Sequence, residues 1–97
     1  MEEQDKEQIL ERIRIALKKA IDQQILEQNP PQTKEVWQKL LDLGATEEES
    51  YELIGKVVSE TLFKDLKEES EFKMASYIEA LNHLPIQFEK LKKQNFA

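Results

Sequence analysis

The sequence contains no cysteine and, among its 97 residues, only two glycines and three prolines. Without cysteine the chain has no disulfide, no thiolate nucleophile and no zinc finger, which fits a reducing compartment. The few glycines and prolines leave little room for a turn-rich β architecture. No apolar run approaches the ~20 residues of a membrane span, and residues 1–11 are acidic and polar, unlike a signal peptide. We therefore expect a cytoplasmic protein without a membrane segment.

What the chain does contain is helix-forming sequence. Hydrophobic residues make up 39% and charged residues 35%, and Glu, Lys, Gln, Leu, Ile and Ala, all compatible with helices, are abundant. A chain of this length can bury one modest core. We predict a single all-α domain over residues 1–97, with a core at about 8–91 and frayed ends at 1–5 and 93–97.

The charge balance argues against nucleic-acid partners. The formal net charge is −6 and the pI is near 4.9, so the overall field repels phosphates and anionic membranes. A helix–Gly44–helix unit is compatible with a DNA-binding helix-turn-helix, but its second helix opens with three glutamates where basic contacts are needed. The same unit loosely resembles small three-helix ubiquitin-binding modules through a short and common Leu-x-x-x-Gly pattern. The acidic residues are most simply solvated helix faces.

Apolar spacing predicts a bundle of four or five helices. We place a long first helix at about residues 3–28 and a helix-turn-helix hairpin at 32–43 and 47–66. Short C-terminal helices follow, one at about 71–83 and a last one beginning at Pro85. The first three helices are expected to form the core. The stripe of the first helix predicted to face that core comprises Ile9, Ile13, Ala16, Leu17, Ala20, Ile21 and Gln24.

Two connections carry specific turn signals. Pro30 keeps the residue before it out of the helical region, and Pro31 suits a first helical turn, so the first connection should be short. Gly44 stands where a left-handed C-cap residue belongs. Thr46 and Glu49 have the spacing of a capping box, in which each side chain binds the other residue's backbone N–H.

Two further residues indicate how the helices pack against one another. Trp37, the single tryptophan, should anchor in or near the core because it offers the largest apolar area. Gly55 costs a helix interior roughly 1 kcal/mol relative to alanine and so needs a packing reason. Gly55 and Ser59 are four residues apart, as are Ala16 and Ala20. We expect these two small-residue strips to form a close crossing of the first and third helices.

Candidate chemistry is sparse. Glu79 and His83 share a helix face and are the best candidates for a metal or enzymatic site of the carboxylate-bridged type. Such sites usually need two Glu-x-x-His units, and this chain has one histidine. A simple surface pair accounts for the two residues equally well. We expect no catalytic residue and no cofactor, and enzymatic activity remains the alternative.

A binding role is the more direct expectation. Ile15 and Leu26 lie off the main stripe of the first helix, which makes that helix apolar over more than one side. An additional apolar surface favours self-association as a homodimer or docking to a protein partner. The alternative is that the C-terminal helices cover both residues within one chain.

Over about residues 10–85 the sequence resembles a family of small bacterial helical proteins described only as a domain of unknown function. Members of that family carry histidines on the first and third helices, where this chain has Arg14, Lys18, Glu48 and Glu52. The resemblance implies that any metal held by those histidines has been lost here, with ion pairs between the two helices in its place. The resemblance rests on Ala20-Ile21-Asp22-Gln23-Gln24, Asn29-Pro30-Pro31, Leu40-Leu41-x-x-Gly44, Glu48-Glu49-Ser50, Ile54, Val57-Val58-Ser59-Glu60 and Tyr77-Ile78-x-Ala80-Leu81-x-x-Leu84-Pro85.

Overall fold

The computed structural model describes residues 2–68 and 73–95, with side chains over 5–68 and 73–94. Its elements are α1 (Glu2–Glu27), α2 (Pro31–Asp42), α3 (Glu47–Lys67) and α4 (Met74–Asn95), and no strand occurs within the described ranges. The predicted all-α bundle is confirmed, with four helices. None of these helices, over the residues described, is both apolar and long enough to cross a bilayer.

α1 is followed by a residue in the left-handed conformation, which was not predicted from the sequence. Gln28 has a φ of 53°, a conformation in which glycine is usual because a Cβ atom raises its energy. The Gln28 N–H donates to the Ile25 carbonyl and the Asn29 N–H to the Gln24 carbonyl, at 3.3 and 3.0 Å. These two bonds form a Schellman motif, and the extended Pro30 then leads directly into α2.

The turn between α2 and α3 follows its sequence signals closely. Gly44 has a φ of 101°, and its N–H donates to the Leu41 carbonyl at 3.0 Å. The Glu49 N–H donates to the Thr46 hydroxyl and the Thr46 N–H to the Glu49 carboxylate, both at 3.0 Å. The hydrogen bond from the Thr46 backbone N–H lowers the pKa of Glu49 from its usual value. The predicted C-cap and capping box are both confirmed.

The core lies chiefly between α2, α3 and α4. This corrects the expectation that the first three helices form it. Tyr77 and Leu81 of α4 are completely buried, whereas Ile21 is the one fully buried hydrophobic residue in the described part of α1. α4 packs on both α2 and α3, and so takes the place expected for α1. The buried hydrophobic residues are Ile21, Val36, Leu40, Ala45, Ile54, Val57, Val58, Tyr77, Leu81, Leu84 and Phe88.

α4 continues through Pro85, where a new short helix was predicted. Proline removes the N–H that would bond the Leu81 carbonyl and costs about 3 kcal/mol in a helix interior. Leu84 and Phe88 are both buried, and burying each side chain contributes about 1.5–3 kcal/mol. That burial requires one uninterrupted helical face, so packing outweighs the proline. The cap predicted at Ser70 and the helix start predicted at Glu71 lie outside the described residues.

Gly55 packs against α1, but not through the strip predicted for it. A Cβ atom at Gly55 would lie 3.6 Å from Leu17 Cδ1 and 4.0 Å from Ile21 Cδ1, which are ordinary contact distances. The expected partners Ala16 and Ala20 are exposed instead. The predicted crossing is therefore wrong in its residues, because α1 presents its larger side chains to α3.

Candidate interaction surface

α1 is only partly covered by the rest of the chain. Every residue described from 5 to 16 is exposed, Leu17 is half-buried, and Ile21 is completely buried. α1 packs on α2 and α3, and this contact involves its C-terminal half. An isolated helical segment as short as this N-terminal half is only marginally stable in water. Packing against another surface would therefore stabilise it.

One exposed side of α1 carries a regular apolar line, which we call the α1 strip and define as Ile9, Ile13, Ala16 and Ala20. Its spacings of four, three and four keep these side chains on one side of the helix. Ile9 is 56% and Ile13 is 48% exposed, and both alanines are exposed. The sequence assigned these residues to the core, and the structure shows this to be wrong.

α3 supplies a second apolar line beside the strip. Gly55 and Ser59 face α1 across a groove of about 760 Å³, whose α1 side includes Leu10 and Ile13. The same helical spacing continues from Ser59 to Leu62 and Leu66, which are 43% and 73% exposed. We call this space the α1–α3 groove. Its end near Leu62 and Leu66 is open, because α1 covers α3 at Gly55 but not farther along.

Charged side chains at the groove do not form the ion pairs expected between the first and third helices. Lys18 Nζ lies 5.0 Å from the centroid of the Tyr51 ring, a cation–π contact. Arg14 pairs at 3.8 Å with Glu11 on its own helix. Within the described part of the chain, no ion pair joins Lys18 or Arg14 to Glu48 or Glu52.

Tyr51 is the side chain that ties α1 to the hairpin. Its hydroxyl donates to the Asp22 carboxylate on α1. Its ring centroid lies 4.7 Å from that of Trp37 on α2, at an interplanar angle of 59°. Trp37 is half-buried and packs against the core, which agrees with the prediction that it lies in or near the core. The three contacts of Tyr51 hold the C-terminal half of α1 at a fixed place on the bundle.

Both tyrosines of the chain have raised pKa values. Burial, followed by the hydrogen bond to Asp22, raises the pKa of Tyr51 from 10.0 to about 12. Burial also raises the pKa of Tyr77, which is completely enclosed. In each case the folded protein favours the neutral phenol.

Alkaline pH should therefore weaken the fold in a defined interval. Between pH 10.0 and about 12, the unfolded chain loses phenolic protons that the folded chain keeps, so the free energy of unfolding falls as pH rises. Below that interval tyrosine ionisation has no effect. Urea unfolding at about pH 9 and about pH 11 should show a smaller loss in Tyr51→Phe than in the wild type. Phenolate absorbance rising around the ordinary pKa while the protein stays folded would contradict this.

The residues proposed for metal chemistry do not converge on a site. Glu79 and His83 are both exposed on α4. No group of three or more His, Asp or Glu side chains with metal-binding geometry occurs within the described ranges. The acidic residues Asp22 and Glu52 lie on α1 and α3, and Asp22 already accepts a hydrogen bond from Tyr51.

Ile15 and Leu26, the residues predicted for interaction, are both open to solvent. They are 46% and 84% exposed. By helical spacing both lie on the side of α1 away from the strip, and Ile15 also lines the α1–α3 groove. A larger exposed apolar surface is formed by the α1 strip, whose Ile13 also lines the groove, and by Leu62 and Leu66 at the open end of the groove. Only the position of α3 relative to α1 could reveal it.

Comparison with protein-family models, with curated proteins and with solved structures found no match for this chain. The resemblance to a bacterial family of unknown function stays a prediction. The fold and the surface define an all-α bundle whose N-terminal helix is covered on its C-terminal half and exposed on its N-terminal half.

Proposed function

We propose that this chain is a non-catalytic, self-associating interaction domain, and that two copies pair through the α1 strip and the open end of the α1–α3 groove. The observation that supports this most directly is the exposure of Ile9, Ile13 and Leu66, at 56%, 48% and 73%. Large apolar side chains at helical spacing on helix faces that the rest of the described chain leaves exposed are typical of an interface.

The size of the surface is near that of a small dimer interface. If each large side chain exposes on the order of 100 Å², six of them supply roughly 600 Å² per chain, against about 800 Å² per partner in a standard interface. Ala16, Ala20 and the edges of the groove add further area. A second copy is favoured as the occupant because one patch then covers an identical patch, as in most homo-oligomers. The six side chains are Ile9, Leu10 and Ile13 of α1, Leu62 and Leu66 of α3, and Phe63, which is exposed next to Leu62.

The acidic character of the chain agrees with this role. A net charge of −6 disfavours nucleic acid and anionic lipid surfaces, so a protein surface is the partner class best suited to the apolar patch. The absence of cysteine fits a reducing cytoplasm. We include a bacterial cytoplasmic location in the proposal, on that composition and on the resemblance described above.

Ile13 and Ile15 provide a matched test. They are 48% and 46% exposed on the same helix, but only Ile13 lies on the α1 strip. Replacing either residue with glutamine leaves the net charge of the protein unchanged. Glutamine is also a good helix former. Ile13→Gln should weaken the dimer about 30- to 140-fold, since two apolar side chains leave the interface at roughly 1–1.5 kcal/mol each. Ile15→Gln should leave it nearly unchanged.

The measurement is native mass spectrometry over a concentration series, with protein purified without metal affinity or chelator. A dimer at twice the bare sequence mass that is lost in Ile13→Gln alone supports the proposal. A monomer throughout the micromolar range, or equal effects of the two variants, overturns it. Added mass from a bound metal would instead favour the metal-binding alternative at Glu79 and His83. Circular dichroism confirms that both variants remain helical.

A further inference from the structure

We infer that the two copies pack their α1 helices antiparallel, with Ile9 opposite the partner's Ala20 and Ile13 opposite the partner's Ala16. This inference rests on the proposed self-association and specifies its geometry. The pair would be related by a twofold axis passing between Arg14 and Ile15. It follows from three features of the described residues, namely side-chain size along the strip, the side on which α3 lies, and the charges on the other side.

Side-chain size changes along the α1 strip from large to small. The two isoleucines lie at its N-terminal end and the two alanines at its C-terminal end, with spacings that match the seam of a coiled coil. In an antiparallel pair every layer contains one isoleucine and one alanine, so the helix axes keep an even separation. In a parallel pair two layers would hold facing isoleucines and two would hold facing alanines. The alanine layers would leave a void, which close packing disfavours.

The position of α3 is compatible with this pairing. Leu10 and Leu17 flank the strip on the side of α1 that faces α3, and an antiparallel pair brings Leu10 against the partner's Leu17. The twofold axis keeps both α3 helices on the same side of the α1 pair. The open end near Leu62 and Leu66 then lies beside the partner's bundle and becomes covered. The interface would be a four-helix arrangement of α1 and α3 from each copy.

The charges on the opposite side of the strip have a measurable consequence. Arg12 and Lys19 flank it there, and both are exposed. In the antiparallel register, Arg12 of one copy lies near the partner's Lys19, which places like charges together twice. Salt screens such repulsion. The dimer should therefore tighten as ionic strength rises, and Lys19→Glu should tighten it severalfold at low salt by replacing repulsion with attraction.

The absence of cysteine makes cross-linking a direct test of the register. Ile9→Cys and Ala20→Cys are prepared as separate single-cysteine proteins and treated with a short thiol-specific cross-linker, alone and as a mixture. Antiparallel pairing predicts a cross-linked heterodimer in the mixture and little product from either protein alone. Ile15→Cys, on the side of α1 away from the strip, should not cross-link and serves as the control.

The outcomes separate the register from the proposed function. Heterodimer product in the mixture, together with tighter pairing of Lys19→Glu, supports the antiparallel register. Efficient cross-linking of each single variant with itself overturns the register but leaves self-association standing. A dimer by native mass spectrometry that cross-links in none of these combinations overturns it as well. A monomer throughout overturns both the register and the proposed function.

Discussion

Replacing Gln24 with leucine should destabilise the fold by about 2–3 kcal/mol, because two buried hydroxyl groups would lose their common acceptor. Thr33 and Tyr77 are completely buried. Both hydroxyls donate to Gln24 Oε1, each at 2.8 Å. Gln24 thus joins α1 to α2 and α4 through one amide oxygen. Leucine has a similar size, so the loss measures the hydrogen bonds more than the packing.

Gln23 is the matched control for this experiment. It is exposed, and its amide contacts only Glu27 on the same helix, at 3.1 Å. Gln23→Leu should change the free energy of unfolding by less than about 0.5 kcal/mol. Combining Gln24→Leu with Tyr77→Phe should cost less than the sum of the two changes, because they remove one shared interaction. Urea unfolding measures all four values, and equal losses for Gln23→Leu and Gln24→Leu would refute this role of the amide.

Replacing Asp65 with alanine should cost about 1.5–3 kcal/mol, the range expected for a lost hydrogen bond to a charged group. Asp65 is only 4% exposed. Its Oδ2 accepts the Lys73 backbone N–H at 2.9 Å, directly before α4 begins. The carboxylate also complements the positive end of the α4 dipole. This contact fixes the start of α4 relative to the end of α3.

The Asp65 experiment has two controls. Asp65→Asn keeps an acceptor oxygen and should recover more than half of the loss. Glu60→Ala removes an exposed carboxylate from the same helix and should have an effect below about 0.5 kcal/mol. Urea unfolding supplies the free energies, and amide exchange should show the first turn of α4 opening more often in Asp65→Ala. If Asp65→Ala and Glu60→Ala are equally stable, the carboxylate does not anchor α4.

The predicted elements agree with the structure where the determining interactions are local. The capping box of Thr46 and Glu49 needs only residues three apart, and Gly44 needs only its own backbone freedom. Lys92 shows the limit of such reasoning. It lies just past the predicted core and just before the end predicted to fray at 93–97, and no contact was predicted for it. Its ammonium nevertheless donates to the Leu43 carbonyl at the end of α2. A partner 49 residues away in sequence leaves no local pattern.

The wrong predictions share one cause. The spacing of apolar residues along a helix does not determine which other part of the chain, if any, packs on them. The spacing of Ile9 and Ile13 is that of a core face, and the structure exposes both. Asp65 belongs to a charged stretch and is buried. Pro85 has the local character of a helix start and lies inside α4, since Leu84 and Phe88 are buried on one face. In each case a long-range contact, present or missing, decides the result.

The sequence by itself determined the all-α class, the place of the α2–α3 turn and the absence of thiol chemistry, because these follow from backbone propensity and composition. Only the tertiary structure decided which apolar stripe is covered. α4 packs on α2 and α3 and fills the core, so α1 retains a free apolar strip beside the open end of α3. The surface proposed for self-association arises because the chain has more apolar helix faces than its own core can bury.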